Sequence, residues 1–296
     1  MSSWGGGRVH FREKKMPNKT IVPQLPQPVQ ESPQIIPETN EPLSKYVFPK
    51  TTVNNAVICC IALNEEPYID EWIKYHLVLG FNHIYIYDNS PTNTLKDKQT
   101  DKVTIIHFPG SIKQLEAYNL CIAQYKNKHK WCAFIDCDEF IVLKRHSNIN
   151  EFLKEYDNRN SIALSWLMFG TSNEKTYRDE PVTSRFRFCS RMANQHFKCI
   201  CKLSSITLFI NPHRPLEMIY DTNGQLLFDN SNNKGPLNIA YIHHYYTKSE
   251  EEFLKKINRG RADITEKRSV EELIEIHSKN NDVYNSDAWN FYSRHL

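Results

Sequence analysis

Three carboxylates stand within four residues of the stretch FIDCDEF, residues 134–140. Alternate side chains of an extended segment point to the same face, so Asp136 and Asp138 would face one way and Glu139 the other. Two carboxylates this close repel each other unless they share a proton or bind a divalent cation. A Mg²⁺ or Mn²⁺ ion could bridge to a diphosphate and neutralise charge on a leaving group. The alternative is a solvated acidic turn without a chemical role.

Hydrophobic patterns around this stretch predict a wound α/β domain with a largely parallel sheet. Strands are predicted over residues 54–63, 83–90, 102–108 and 131–143, the last interrupted, and helices over residues 64–81 and 112–128. Asn64 can cap the first helix, Pro67 suits its first turn, and Gly80 is a natural stop. The second helix has an apolar stripe of Ile112, Leu115, Tyr118, Cys121 and Ile122.

Polar residues follow three of the predicted strands. Asn64, Asp88 and Asp136 each stand where a strand ends. Ligands of wound sheets bind beyond the carboxyl ends of the strands, so we expect these residues to meet at one edge of the sheet.

The second half of the chain is less regular. Its patterns predict strands over residues 161–170 and 198–210, loops over residues 171–185 and 221–236, and helices over residues 248–263 and 269–280.

Length and composition predict one domain preceded by a tail. Residues 1–50 alternate proline with glutamine and glutamate and cannot build a packed core, so we expect a disordered tail and a domain over residues 51–296. The net charge of +3 gives no case for a nucleic-acid partner. The chain has no run of 18 apolar residues, and its N-terminus lacks the apolar segment of a signal peptide. A cytoplasmic protein, from a bacterium or a large DNA virus, fits these features best.

The eight cysteines mostly lie inside apolar runs without a Cys-x-x-Cys pair, which indicates reduced core residues. Cys199 and Cys201 would share a face of an extended segment, so a metal or disulfide pair there stays open.

The motifs, taken in order, resemble a known family. WCAFIDCDEFIVL is similar to the tryptophan and Asp-x-Asp-Glu-Phe signature of glycosyltransferase family 92 and its family 2-like relatives. IALNEEPYIDEWIKYHLVLGFNHIYIYDNS resembles their opening strand, helix and strand, and QLEAYNLCI the helix before the acidic motif. WLMFG and IHHYYTKSEEEFLKKINRGRAD resemble later segments. The resemblance runs from about Val53 to Asp263.

This resemblance implies a GT-A fold, with a mixed, mostly parallel sheet flanked by helices. It also implies a nucleotide-sugar donor, UDP-linked first of all, a glycan or other hydroxyl acceptor, and a Mn²⁺ or Mg²⁺ ion. Carried over by position, Asp136 would face the ribose and the metal, Asp138 would ligate the metal, and His244 would complete the metal site. His243 would face the opposite side of the strand.

The donor-binding residues implied by the resemblance lie in four segments. Asn64 and Glu65 would line the nucleotide pocket, and Asp88 would approach the base or ribose. Gln114 and Asn119 belong to the helix before the acidic motif. Lys248 could add positive charge near the diphosphate, as could Arg259, although a surface cation is the favoured alternative for each.

The general base is open, because the turn TSNEKTYRDEPVTSRF departs from the family pattern near Asn173 and Ser184. An inverting transferase needs a base within hydrogen-bond reach of the acceptor hydroxyl. The candidates are Glu174, Asp179, Glu180 and His213. His213 could instead contact the metal or the diphosphate, or belong to an ordinary polar turn.

Two other functions remain to be weighed. A catalytically decayed protein of the same fold could bind nucleotide sugars or glycans. A haloacid-dehalogenase-type phosphatase also uses Asp-x-Asp, but a small pair such as Gly-Thr usually follows the second aspartate there, whereas Glu139 and Phe140 follow here.

Overall fold

The computed structural model describes residues 55–229, 235–259 and 268–296. The tail predicted for residues 1–50 lies outside these ranges. The described strands are β1 Ala56–Ala62, β2 His83–Asp88, β3 Val103–His107, β4 Trp131–Phe134, β5 Glu139–Leu143, β6 Ser161–Met168, β7 Phe188–Cys189, β8 Phe197–Lys202, β9 Phe209–Asn211, β10 Arg214–Pro215, β11 Ile219–Asp221, β12 Leu226–Leu227, β13 Ala240–His244 and β14 Val283–Tyr284. The α-helices are α1 Ile69–Val78, α2 Gln114–Tyr125, α3 Ile149–Glu155, α4 Val182–Arg185, α5 Glu250–Arg259, α6 Val270–Lys279 and α7 Asp287–Tyr292.

Ten strands form one mixed sheet. Eight of them lie in the order β12-β11-β6-β8-β4-β1-β2-β3, while β13 pairs with β6 and β5 pairs with β13. The pairs β1–β2, β1–β4, β2–β3, β6–β11 and β6–β13 are parallel. The pairs β4–β8, β6–β8, β5–β13 and β11–β12 are antiparallel. The predicted α/β class with a mixed, mostly parallel sheet is therefore confirmed.

Helices cover both faces of the sheet, because the strands are apolar on both sides. Along β1, Ile58 and Cys60 belong to one buried cluster together with Trp72 of α1. The intervening Cys59 belongs to a second cluster together with Tyr118 of α2. Successive side chains of a strand point to opposite faces, so α1 and α2 pack on opposite sides of the sheet.

The first helix is shorter than its pattern predicts. It begins at Ile69 with Tyr68 at the N-cap position, so the prediction that Asn64 caps it is wrong. Asn64 has a φ of 55°, in the left-handed region, and turns the chain away from β1. The carbonyl of Glu65 then accepts the N–H groups of Tyr68 and Ile69 at 3.0 Å. Gly80, with a φ of 104°, follows the end of the helix as predicted.

The second helix begins at Gln114, not at residue 112. Ile112 has a φ of 55° and is 48% exposed, so its assignment to the apolar stripe is wrong. Tyr118, Cys121 and Ile122 are buried as predicted.

The predicted loops contain some regular structure. The short α4 lies within residues 171–185 because Glu71 of α1 accepts the N–H groups of Val182 and Thr183 and caps it. β12 lies within the predicted loop over residues 221–236. The predicted helix over residues 248–263 begins at Glu250, and residues 260–263 lie outside the described ranges.

All eight cysteines are free and buried, in agreement with the prediction of core thiols. None of the helices in the described ranges combines the length and apolarity needed to span a lipid bilayer.

Candidate functional site

A cavity of about 510 Å³ lies at the carboxyl ends of β1 and β4. Its wall includes Ala62 at the end of β1, Glu65 after it, and Asp136 and Asp138 after β4. Further parts of the wall come from α2, β6, β8 and the segment before it, the β9–β10 turn, β13, α5 and α6. The sheet edge predicted to bind a ligand therefore does carry a cavity.

Asp138, Glu139 and His244 form a buried group whose ligand atoms lie within 4.8 Å of one another. His244 Nε2 is 3.4 Å from Asp138 Oδ1, and antiparallel pairing of β5 with β13 places His244 opposite Glu139. The indole N–H of Trp72 in α1 donates to the Glu139 carbonyl at 2.8 Å and fixes this strand end. This group could hold a metal ion.

The expectation that Glu139 faces away from Asp138 is wrong. It assumed an extended segment, but β4 ends at Phe134 and β5 begins at Glu139, with a turn between them. In this turn the backbone N–H of Asp136 donates to Glu139 Oε2 at 3.0 Å. The turn therefore brings Glu139 beside Asp138.

The chemistry of the three side chains fits a cation. Glu139 Oε1 and His244 Nδ1 are buried without a hydrogen-bond partner among the described residues. Burial, with the nearby carboxylates of Asp136 and Asp138, raises the pKa of Glu139 well above its usual range despite Lys198. Burial lowers the pKa of His244 although Asp138 opposes the shift, so the imidazole is neutral near pH 7. Carboxylate ligands suit Mn²⁺ or Mg²⁺, and Mn²⁺ also accepts a neutral imidazole.

Lys256 of α5 pairs with the same aspartate. Its ammonium donates to Asp138 Oδ2 at 2.5 Å and to the Tyr246 carbonyl at 2.8 Å. Burial would raise the pKa of Asp138, but Lys256 and His244 hold it well below its usual range. Burial lowers the pKa of Lys256 to about 8, against the pull of Asp138. Asp138 is therefore ionised, and the ammonium group of Lys256 contacts one of its two oxygens.

Sequence analysis missed Lys256, although a signal exists. Lys256 stands three residues after the buried Phe253 and four after the buried Glu252, on the inner stripe of α5. A lysine on such a stripe is expected to have a buried acidic partner.

Asp136 belongs to a second network. Lys198 Nζ lies 3.0 Å from Asp136 Oδ2, and Gln114 donates to Oδ1 at 2.7 Å. Burial would lower the pKa of Lys198, but Asp136 and Glu139 raise it. Lys198, also missed, is the lysine in the interior of the apolar strand β8, whose other lysine, Lys202, ends the strand. Asn119 lies outside the cavity wall and instead bonds the backbone of Phe209.

Glu65, in the cavity wall, forms ion pairs with two basic side chains. Arg259 Nη1 lies 2.7 Å and Lys248 Nζ 3.4 Å from its carboxylate. Burial would raise the pKa of Glu65, but Lys248 and Arg259 lower it. Arg259 lines the cavity, whereas Lys248 lies behind the wall, over the ring of Tyr68 at 3.9 Å. Lys248 is 5% exposed, so the alternative that it is a surface cation is wrong.

Two of the residues at strand ends do not reach the cavity wall. Asp88 is fully buried and accepts the N–H groups of Ser90 and Leu95 at 2.9 and 3.0 Å, so its carboxylate holds the loop after β2. Asn64 is not among the lining residues either.

Of the four candidate bases, one lines the cavity and three lie outside it. Glu174 and Glu180 pair with Arg178 at 2.6 and 3.1 Å, and neither lines the cavity. Asp179 accepts from the Tyr177 hydroxyl at 3.4 Å and is also outside the wall. His213 does line the cavity, and burial together with Lys198 lowers its pKa to about 3.

An aromatic group completes the wall beside His213. The Trp166 ring centroid lies 4.2 Å from that of His244 and 5.1 Å from that of His213. His196 and Tyr246 also line the cavity, whereas Tyr245 is buried in the core. His243 faces away as predicted, with its ring against Phe169 at 4.3 Å.

Comparison with known proteins identifies the family. The family model of glycosyltransferase family 92 matches residues 54–282. The chain belongs to glycosyltransferase family 92. This confirms the resemblance found in the sequence and argues against the phosphatase alternative.

Curated relatives are plant members of this family. A family 92 protein of Ricinus communis is 30% identical over 127 residues, which is 41% of this chain and 21% of the relative. One of Oryza sativa subsp. japonica is 24% identical over 172 residues, 55% of this chain and 29% of the relative. One of Arabidopsis thaliana is 27% identical over 95 residues, 30% of this chain and 16% of the relative. The chain thus matches less than a third of each relative's length.

Proposed function

We propose that this chain transfers a hexose from a UDP-sugar to a hydroxyl of a glycan or other acceptor, with inversion, and that its α/β domain has the GT-A fold. Family membership supports sugar transfer as the reaction class. The position of the cavity at the carboxyl ends of parallel strands supports nucleotide binding.

The observation that carries the proposal is the buried Asp138–Glu139–His244 group. Asp138 and His244 of this group line the cavity, together with Lys198, Lys256 and Arg259. In this proposal the three ligands hold Mn²⁺ or Mg²⁺, which would neutralise charge on the departing diphosphate. Buried cations of the chain add to this stabilisation because charges interact more strongly where water is excluded. Asp136, oriented by Gln114 and Lys198, offers its carboxylate to a ribose hydroxyl.

His213 is the candidate base that the cavity favours. Its Nδ1 lies 3.0 Å from the Phe197 carbonyl, which can only accept, so Nδ1 carries the proton. Nε2 is then free of a proton and could accept one from an acceptor hydroxyl. The pKa of about 3 makes it a weak base, so its main contribution would be to orient that hydroxyl.

A panel of UDP- and GDP-sugars, incubated with and without Mn²⁺, tests the proposal. We expect slow hydrolysis of at least one UDP-sugar that stops when EDTA is added. Asp138→Asn should abolish it, while Asp101→Asn, the same change at an exposed position, should not. Hydrolysis that survives EDTA would refute the metal-dependent mechanism.

The second candidate is a catalytically decayed protein that binds nucleotide sugars. It is favoured by the position of Glu174, Asp179 and Glu180 outside the cavity wall. Binding of UDP in the presence of Mn²⁺, without turnover of any sugar in the panel, would support it.

A further inference from the structure

Two thiols touch beneath the acidic turn. Cys60 Sγ and Cys137 Sγ are 3.4 Å apart, and both cysteines are free. Cys60 belongs to β1 and is fully buried, whereas Cys137 stands between Asp136 and Asp138. The contact therefore joins the central strand to the turn that carries both aspartates.

Cys137 differs from the other cysteines in its contact with the cavity. Of the eight, it alone lines the cavity as the structure describes it, with 4% of its surface exposed. A small neutral reagent that enters the cavity comes against Cys137, and Cys60 lies behind it as a second thiol. Once one of two touching thiols is oxidised to a sulfenic acid, the other can condense with it to a disulfide.

We propose that Cys60 and Cys137 form an oxidation site, which hydrogen peroxide converts to a disulfide through the cavity. The Cys137 sulfur attacks one peroxide oxygen, an S–O bond forms, the O–O bond breaks, and the leaving hydroxide takes the thiol proton as water. The Cys60 sulfur then attacks the sulfenic acid, the S–S bond forms, the S–O bond breaks, and a second water leaves with the Cys60 proton. Two thiols are oxidised by one electron each, and one peroxide is reduced to two waters.

Disulfide formation would draw the turn towards β1. A disulfide needs a sulfur–sulfur distance of about 2.05 Å, shorter than the observed contact. β1 is paired on both sides, with β2 and β4, and cannot move easily. The turn with Asp136 and Asp138 would shift instead, so oxidation should weaken cation binding at Asp138. This last step rests on the proposed function, whereas disulfide formation does not.

Peptide mapping tests the pairing. The reduced protein is treated with equimolar peroxide, the remaining thiols are alkylated, and the digest is analysed by mass spectrometry. Because the thiolate is the nucleophile and a buried thiol ionises only at high pH, the reaction is run at alkaline pH. We expect a Cys60–Cys137 disulfide that dithiothreitol reverses.

Variants make the mapping decisive. In Cys60→Ser we expect no disulfide, and dimedone should trap the sulfenic acid on Cys137. Cys189→Ser, which changes a buried thiol outside the cavity, should pair like the wild type. Absence of the Cys60–Cys137 disulfide in the wild type, or equal oxidation of Cys189 and Cys137, would overturn the proposal.

Titration with Mn²⁺ tests the consequence. Oxidised wild type should bind Mn²⁺ about tenfold more weakly than reduced protein, the size typical of disturbing groups that orient metal ligands. Dithiothreitol should restore the affinity, and peroxide should not change that of Cys60→Ser. Equal affinity before and after proven oxidation would overturn the link to the turn. If reduced protein binds no Mn²⁺, the proposed function fails, while the mapping still decides whether the pair forms.

Discussion

Lys256 donates to Asp138 Oδ2 at 2.5 Å inside a cavity wall where both side chains are at least nine-tenths buried. The other oxygen of Asp138 faces His244. A lysine ammonium thus occupies one side of the carboxylate that the sequence marks as a metal ligand. Lysine and a divalent cation would share the neutralisation of Asp138, because a buried carboxylate without a counter-charge is very costly.

Removing this ammonium should destabilise the protein unless a cation replaces it. Lys256→Met leaves Asp138 charged and buried, and breaking a buried pair in this way costs about 3–5 kcal/mol. We expect urea unfolding to show a loss of this order, and added Mn²⁺ to recover a larger share of stability than it adds to the wild type.

The adjacent lysine provides the control. Lys255 is 68% exposed and pairs with Glu251 on the helix surface. Lys255→Met should leave stability and the response to Mn²⁺ unchanged, since exposed pairs contribute little. Equal losses of unfolding free energy in the two variants would show that the buried Lys256–Asp138 pair stabilises the protein no more than the exposed Lys255–Glu251 pair.

Glu139→Gln should separate cation binding from stability. The pKa of Glu139 is raised well above its usual range by burial, so the carboxyl is favoured in its neutral form when no cation is present. Glutamine imitates that neutral form, and the variant should be as stable as the wild type without Mn²⁺. Its Mn²⁺ affinity, measured by calorimetric titration, should fall because one anionic ligand is lost. Unchanged affinity would remove Glu139 from the metal site.

The strand pattern was sufficient to place the cavity but not every side chain within it. β1, β2 and β4 are buried parallel strands, so their apolar runs predict both the sheet and its functional edge. The alternation of Asp136 and Asp138 predicts an extended stretch, whereas the turn between β4 and β5 brings Glu139 into the group with Asp138. Local sequence cannot separate these cases, because β5 pairs with β13, about a hundred residues later.

The long-range ion pairs of the site could not be predicted from the sequence either. Lys256 and Lys198 come from α5 and β8, and each meets its aspartate only in the folded chain. A resemblance carried over by position named His244 and Asp138, which do lie together. It also named Asp88 and Asn119, whose polar groups bond to the backbone of other segments.

Stability below neutral pH should depend on His76. This side chain is fully buried in α1, and burial lowers its pKa to about 3. The unfolded chain binds a proton near pH 6.5, but the folded chain does not until about pH 3, so stability falls as the pH falls through this window. His76→Gln should reduce the slope of unfolding free energy against pH by about 1.4 kcal/mol per unit between these values.

Urea unfolding at several values between pH 7 and pH 4 measures that slope. His295→Gln, at an exposed position, is the control and should keep the slope of the wild type. Other buried histidines contribute to the total, so only the difference between the two variants is diagnostic. An identical slope in both would mean that His76 does not titrate differently on folding.

The adjacent histidines of β13 should have different roles, His244 in metal binding and His243 in packing. His244 lies 3.4 Å from Asp138 and lines the cavity, while His243 is buried against Phe169 on the opposite face. His244→Ala removes a neutral imidazole from the metal group, so we expect UDP-sugar hydrolysis to need more Mn²⁺ and to recover partly when Mn²⁺ is high. His243→Ala opens a void between aromatic rings and should lower the melting temperature without changing the Mn²⁺ requirement.

Kinetic titration of Mn²⁺ on both variants, with a melting curve for each, tests this difference. A metal defect in His243→Ala but not in His244→Ala would contradict the assigned faces of β13. A defect in neither would remove His244 from the metal site and leave Asp138 and Glu139 without an imidazole partner from this strand.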